Sequence, residues 1–178
     1  MDRIDGYILQ LQRDGRERFL NTYPHPFLLI INPERDGDWT EFHTESVNTD
    51  MVTLAAEVSA TESKAMGRTQ DLRVLKIAKS FSSPWRGRIS IGRARNTDVV
   101  LKDKSVSKLH AHFSTSDNGR VSITDAGSRN GTKVNGVELE PSMPVPLSPS
   151  NKIVLGRVHG VFHTAETFCD FIDKLLRR

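Results

Sequence analysis

The chain has 178 residues, of which 37% are hydrophobic and 26% charged, and its formal net charge is +3. This length fits one ordinary domain with extensions, or at most two small domains. The single cysteine, Cys169, excludes an intramolecular disulfide framework and is typical of a reducing compartment. The first residues lack the basic and apolar regions of a signal peptide, and no apolar run has the length of a membrane span. We therefore expect a soluble cytoplasmic protein.

The charge is divided unevenly along the chain. Residues 1–70 carry 7 Lys and Arg against 12 Asp and Glu, a net charge of −5. Residues 71–178 carry 18 against 10, a net charge of +8. The basic part favours an anionic partner, and the division raises the hypothesis that the acidic part masks the basic one. Basic residues are not interleaved with aromatic ones as in a single-strand nucleic-acid binder, so nucleic acid ranks low among the candidate partners.

Residues 1–70 are interpreted as an N-terminal extension. A helix is predicted over residues 3–20 from an apolar face at helical spacing: Ile4, Tyr7, Ile8 and Leu11. Phe27 to Ile31 predicts a short buried strand or docking segment. A polar turn is expected at residues 33–38, a weak strand at 40–44, and a linker or loose helix at 55–70. Packing of this extension on the following domain is favoured over its use as a docking site for a partner helix.

From Leu72 onward, short apolar runs alternate with polar turns. Strands are predicted at residues 72–77, 88–92, 98–101, 111–114, 121–125, 152–156 and 160–163. Asp117-Asn118-Gly119 is a hairpin turn signal, and residues 141–149 are interpreted as a proline-rich loop. Strands at such short intervals predict an all-β sandwich or barrel.

A C-terminal helix is predicted over residues 165–178. Thr164 is the expected N-cap, and the helix carries one apolar face: Ala165, Phe168, Ile172, Leu175 and Leu176. We expect this face to pack on the sandwich, with a dimer contact as the alternative.

Three polar clusters lie between the predicted strands. They are Gly92-Arg93, then residues 107–111, then residues 128–132 with Val134-Asn135-Gly136 close behind. Loops on a rigid sheet scaffold commonly hold recognition residues. These loops combine an arginine fork, a serine hydroxyl and an asparagine amide, which suits binding of an oxyanion.

This order of clusters resembles the forkhead-associated (FHA) domain family. The pattern is Gly92-Arg93, Ser107-x-x-His110 and Asn130-Gly131-Thr132, followed by Val134-Asn135-Gly136. The resemblance covers roughly residues 72–164. It implies a β-sandwich that binds phosphothreonine in partner proteins and has no catalytic activity. Residues 1–70 would then be an extension, 71–164 the FHA-like domain, and 165–178 a C-terminal helix packed on it.

The resemblance also implies roles for individual residues. Arg93 would pair with the phosphate, Ser107 would bond a phosphate oxygen, and Asn130 would hold the main chain of the bound peptide. Lys108 and Arg129 would add variable contacts to the phosphate or the peptide. A further set would brace the binding loops: Gly92, His110, Gly131, Thr132 and Asn135.

Other interpretations of the same motifs are weaker. Gly87 to Gly92 has the glycine spacing of a P-loop, but Arg93-Ala94 follows where Lys and Ser or Thr are needed. His110 and His112 share one face of a strand without a third ligand at metal-binding spacing, so neither a metal nor another cofactor is expected. A Ser107–His110 nucleophile and base is conceivable, but no hydrolase or kinase signature accompanies it. An enzyme is therefore not expected.

The preferred prediction is a phosphothreonine-dependent binding module that acts in Ser/Thr kinase signalling. Its expected partner is a threonine-phosphorylated protein, either a Ser/Thr kinase or a kinase substrate, with no role for nucleic acid or membrane. A monomer is the expected state. The first alternative is a phosphate-independent scaffold with the same fold, and the second is a basic nucleic-acid-binding domain.

Overall fold

Among the residues that the structure describes, twelve short strands assemble into two sheets. The computed structural model describes residues 2–31, 72–80, 83, 85 and 87–177. Its strands are β1 (Asp2–Arg3), β2 (Phe27–Ile31), β3 (Leu72–Lys76), β4 (Ile89–Gly92), β5 (Val99–Val100), β6 (Ala111–Thr115), β7 (Val121–Asp125), β8 (Thr132–Val134), β9 (Val137–Glu138), β10 (Pro144–Pro146), β11 (Lys152–Leu155) and β12 (Val158–His163). The helices are α1 (Ile4–Thr22) and α2 (Ala165–Leu176). One sheet has the order β1-β3-β2-β12-β11-β8-β9 and the other has the order β10-β7-β6-β4-β5. The predicted all-β sandwich is confirmed.

Two apolar cores make the molecule three layers deep. The first core lies between the sheets and includes Leu28, Ile91, Phe113 and Phe162. The second lies on the outer face of the seven-stranded sheet, beneath the two helices. It contains Tyr7, Phe19, Phe27, Leu29 and Phe168, among others. The predicted packing of both helices against the sandwich is thereby confirmed.

Strand β2 belongs to the seven-stranded sheet, although it lies in the predicted N-terminal extension. It pairs with β3 on one side, as in Leu29↔Val74, and with β12 on the other, as in Leu29↔Val161. Alternate side chains of β2 enter the two cores, which explains its uninterrupted apolar sequence. The sheet therefore already includes residues 27–31, and a deletion of residues 1–66 would remove one of its interior strands. Such a deletion is unsuitable for testing whether the acidic part masks the basic one.

The two helices differ in regularity. Helix α1 is interrupted at Gly15, whose φ of 74° is a left-handed conformation that glycine adopts without strain. Helix α2 begins as predicted at Thr164, where Thr164 and Thr167 form a reciprocal capping box. Arg16 of α1 pairs with Asp170 of α2 at 2.6 Å. In the part of the chain that the structure describes, neither helix has the length and hydropathy needed to cross a membrane.

Two further predictions have different outcomes. The loop expected at residues 141–149 contains the edge strand β10, with Pro144 and Pro146 opposite Thr124 and Ser122 of β7. Proline lacks an N–H donor but is tolerated on an edge strand, where one side of the backbone has no partner strand. The turn at 33–38, the strand at 40–44 and the linker at 55–70 lie outside the described residues.

We expect the stability of the fold to decrease as the pH falls from about 6.5 towards 4. His163 of β12 is only 2% exposed, beside Phe168 and Phe171, and burial lowers its pKa to about 4. The unfolded chain therefore binds a proton in this range that the folded chain excludes. The contribution of this one residue is at most about 3 kcal/mol. Chemical denaturation of wild type and His163→Leu over this pH range measures it. The variant should show a shallower pH dependence, and equal slopes would contradict this explanation.

Candidate functional site

Three loops and one turn meet at one end of the sandwich, hereafter the loop end. They are residues 93–98, 101–110 and 126–131, and the β11–β12 turn at 156–157. The registers explain their proximity, because Ala111 at the start of β6 lies opposite both Ile91 of β4 and Asp125 of β7. The three predicted clusters are separated in the sequence but meet at the loop end. Asn135-Gly136, from the third cluster, is the exception.

Gly92 allows the first two loops to come into contact. A Cβ at this position would lie 2.3 Å from the Lys108 carbonyl oxygen, so only glycine fits without displacement of backbone. Immediately after it, Arg93 N donates to Ser107 O at 2.9 Å, and Ala94 N donates to Lys108 O at 3.0 Å. These bonds hold Arg93 and Ser107 next to each other.

Arg93 and Ser107 both retain hydrogen-bonding capacity for a ligand. Arg93 is exposed, and its Nε donates to Val106 O at 3.2 Å, which orients the guanidinium; its four terminal N–H donors have no partner among the described residues. Ser107 Oγ accepts from Arg129 N at 3.0 Å, so the hydroxyl proton is still available to donate. Lys108 and Arg129 are exposed on the two loops beside them.

His110 is buried and connects the loops from within. Its Nδ1 accepts from Ser107 N at 3.0 Å, which leaves Nε2–H to donate to Gly131 O at 3.1 Å. Burial lowers the pKa of His110, so the imidazole is neutral at pH 7. Because both ring nitrogens contact backbone groups, His110 is not positioned as a base for the Ser107 hydroxyl, nor as a metal ligand.

Asn130 lies at the exposed end of the third loop. Its side-chain amide donates to Ser105 O at 2.7 Å, which fixes the carboxamide while its Oδ1 remains an acceptor. Gly131 follows with a φ of 71°, and a Cβ there would lie 2.7 Å from Glu138 Oε1. The Asn-Gly sequence thus provides both a rigid polar group and the backbone turn that exposes it.

Asp125 is a site residue that the sequence analysis missed. This buried carboxylate accepts from the backbone of Gly127 and Ser128, both at 2.8 Å, and from the hydroxyls of Ser128 at 2.7 Å and Thr132 at 2.6 Å. Burial alone would raise the pKa of Asp125, but these hydrogen bonds outweigh it and the pKa is lowered. Asp125 therefore shapes the loop that carries Arg129 and Asn130, and Thr132 acts through it.

Asp98 has a similar role at the end of the first loop and was also missed. Its carboxylate is fully buried and accepts from Ser90 N and Oγ, Ser80 N and Ser83 Oγ at 2.6 to 2.8 Å. Lys79 Nζ lies 3.0 Å from the same carboxylate. Burial acts to raise the pKa of Asp98, yet the hydrogen bonds hold it well below its usual value. This cluster anchors the loop that begins at Arg93.

Asn135 was predicted to brace the binding loops, but it lies at the opposite end of β8. Its N donates to Lys152 O and its Oδ1 accepts from Lys152 N, both at 2.8 Å. With φ values of 50° and 83°, Asn135-Gly136 forms the left-handed turn of the β8–β9 hairpin. The contribution of Asn135 is therefore to this hairpin.

Asn135 contributes to the hairpin through its side-chain hydrogen bond and through its left-handed backbone, and substitution can separate the two effects. Asn135→Gly should lose only the side-chain hydrogen bond, at a cost of about 1 kcal/mol. Asn135→Ala should lose a further 1 to 2 kcal/mol, roughly, because of the left-handed backbone. Thermal unfolding measures both. Equal stabilities of the two variants would contradict the role of the backbone conformation.

Comparison with known proteins identifies the family. Residues 89–156 match the model of the FHA domain. The chain contains an FHA domain. The matched segment begins at β4 and ends in the β11–β12 turn, and it includes the predicted site residues from Gly92 to Asn135. The matched segment therefore contains the three loops of the loop end and the first residue of the β11–β12 turn.

Relatives of this FHA domain include bacterial regulators. The oxoglutarate dehydrogenase inhibitor of Corynebacterium diphtheriae is 38% identical over 71 residues, which cover 40% of this chain and 47% of that protein. The glycogen accumulation regulator GarA of Mycobacterium tuberculosis is 36% identical over 75 residues, covering 42% of this chain and 44% of GarA. The chain thus spans about half the length of the curated relatives it matches. Among solved structures, the FHA domain of a Chlamydia trachomatis protein is 26% identical, with a TM-score of 0.43, and covers 51% of this chain and 84% of that one.

Proposed function

We propose that this chain is a phosphothreonine-dependent binding module that recognises partner proteins phosphorylated by a Ser/Thr kinase. The observation that carries the proposal is the juxtaposition of Arg93 and Ser107, fixed by the Arg93 N to Ser107 O hydrogen bond of 2.9 Å. This backbone contact brings an exposed arginine and a serine hydroxyl next to each other at the loop end. Membership of the FHA domain family supports the same function.

The chemistry of the surface matches a phosphate monoester. Phosphothreonine carries about −1.5 to −2 charges at pH 7 and three strong acceptor oxygens. Arg93 offers a charged fork and Ser107 a hydroxyl, and exposed Lys108 and Arg129 add positive charge. In this proposal Asn130, fixed by its bond to Ser105 O, holds the main chain of the bound peptide through its remaining amide donor and its acceptor oxygen. Both ring nitrogens of His110 already contact backbone groups, which supports a bracing role for His110 in this proposal.

A phosphate-independent scaffold is the principal alternative. Such a scaffold would need the fold but not a charged fork and a free hydroxyl on one surface, so the exposure of Arg93 favours phosphate binding. Diffuse nucleic-acid binding needs many phosphate contacts and depends steeply on salt.

We propose a protein partner that is either the kinase or one of its substrates. We also propose that the chain is monomeric and acts in the cytoplasm.

Peptide libraries test the proposal. Matched degenerate libraries with a fixed phosphothreonine, phosphoserine or unphosphorylated threonine are bound to the full chain, and each bound pool is quantified. Binding confined to the phosphothreonine library is expected. Equal retention of the phosphorylated and unphosphorylated libraries would support the scaffold and refute phosphate recognition.

A further inference from the structure

We infer that Arg157 forms a second anion subsite, which selects a partner segment with a carboxylate side chain near its phosphothreonine. The inference rests on the proposed function and adds the kind of sequence that is recognised. Arg157 is exposed on the β11–β12 turn, at the edge of the loop end, and no role was predicted for it from the sequence.

The backbone fixes the position of Arg157 relative to both flanking loops. Gly156 N donates to Gly131 O at 3.1 Å, and Arg157 N donates to Ser105 Oγ at 2.9 Å. A Cβ on Gly156 would lie only 2.5 Å from Ser105 O, so the turn packs directly on the second loop. The Arg157 side chain therefore projects from a rigid base.

Arg157 also lies close to the group proposed to hold the peptide. Asn130 donates to Ser105 O at 2.7 Å, and Ser105 Oγ accepts from Arg157 N at 2.9 Å. The path from the Asn130 amide through Ser105 to the Arg157 backbone is at most about 10 Å, a distance that an extended peptide covers in about three residues. A peptide held at Asn130 can thus bring a nearby side chain to the Arg157 guanidinium.

The charge around Arg157 remains positive when Asp103, an acid close to it, is counted. The hydrogen bond from the Ser105 hydroxyl lowers the pKa of Asp103, and the nearby charge of Arg157 adds a smaller effect in the same direction. Its carboxylate already accepts from Ser105 N at 2.7 Å and Oγ at 2.6 Å. Exposed Lys102 and Lys104 are the sequence neighbours of Asp103, and Glu138 lies beside Gly131, so this region holds three basic residues against two acids. This surplus favours an acidic side chain in the partner.

The test uses the full chain and a phosphothreonine peptide with a neutral background. Asp, Asn or Lys is placed in turn at each position flanking the phosphothreonine, and affinities are measured by fluorescence anisotropy. The variants are Arg157→Ala and Arg157→Glu, which keep the backbone N–H that bonds Ser105. Arg120→Ala is the matched control, because Arg120 is an exposed arginine in the β6–β7 turn at the opposite end of the sandwich.

Wild type should bind the Asp peptide about two- to fivefold more tightly than the Asn peptide at one or more positions, as for an exposed ion pair. Arg157→Ala should abolish that preference, Arg157→Glu should reverse it in favour of Lys, and Arg120→Ala should leave it unchanged. Equal affinities of wild type for Asp and Asn at every position, or a preference that survives in Arg157→Ala, would overturn the inference. If neutral peptides still bind through Arg93, the proposed function stands. If no phosphopeptide binds, both fail.

Discussion

Arg93→Ala is expected to weaken the binding of a phosphothreonine peptide by about ten- to a hundredfold and to leave the sandwich folded. A hydrogen bond between charged groups contributes roughly 1.5 to 3 kcal/mol, and each 1.4 kcal/mol changes affinity about tenfold. Arg93 is exposed, and with the described residues its side chain makes one hydrogen bond, to Val106 O at 3.2 Å. Its loss should therefore change the unfolding free energy little.

Isothermal titration calorimetry and thermal unfolding of the same samples separate these two effects. Arg93→Lys keeps the charge but not the planar fork, so its affinity should lie between those of wild type and Arg93→Ala. Arg120→Ala, at the opposite end of the sandwich, should bind as wild type does. Wild-type affinity in Arg93→Ala would exclude Arg93 as the phosphate ligand, whereas a large loss of stability in that variant would assign it a structural role instead.

Gly92→Ala is expected to affect both binding and stability. The added Cβ would lie 2.3 Å from Lys108 O and 3.0 Å from Leu109 Cα, and both of these are backbone atoms that cannot rotate away. The first two loops must then separate, which breaks the alignment of Arg93 with Ser107. Overpacking of this kind costs about 1 to 3 kcal/mol of stability. We expect phosphopeptide affinity to fall by at least about tenfold, since two charge-assisted contacts depend on this alignment.

Gly6→Ala is the matched control for this substitution. Gly6 lies in α1, and a Cβ there would meet no described heavy atom within 4 Å other than its chain neighbours and the backbone of its own helix. Helix propensity predicts that the control is neutral, or more stable by up to about 1 kcal/mol, with unchanged affinity. Chemical denaturation measures the stability of Gly92→Ala and of Gly6→Ala, and calorimetry measures their affinities for the phosphopeptide. Wild-type affinity in Gly92→Ala would show that the close approach of the two loops is not needed for binding.

The sandwich was predictable because its strands carry local signals. Apolar runs at short spacing, the Asp117-Asn118-Gly119 turn and the Thr164 cap all act through near neighbours, and the structure contains each of them. Strand β2 was assigned to the extension because its partners are remote in the sequence. It pairs with residues 72–76 and 159–163, and no local pattern specifies such pairings.

The candidate site was also predictable only in part. Its loops carry local motifs, whereas the acids that brace them depend on contacts formed in the folded chain. The loops were located from Arg93, Ser107 and Asn130, whose side chains are chemically distinctive. Asp125 and Asp98 were missed because each appears in the sequence as one acid at the end of a predicted strand. Asp125-Ala-Gly-Ser does carry a local signal, since an aspartate commonly accepts from the backbone N–H two residues later. For Asp98, the donors Ser80 and Ser90 belong to separate segments, so only the folded chain reveals the cluster.

The central claim is that the loop end recognises phosphothreonine, and backbone NMR of the full chain tests it most directly. The 15N-labelled protein is titrated with a library-selected phosphothreonine peptide and with its unphosphorylated form. The account predicts that the amides of Arg93, Ser107, Arg129 and Asn130 shift with the phosphorylated peptide alone, while those of α1 and α2 remain unchanged. Shifts centred on the helices, or the same shifts with both peptides, would contradict it.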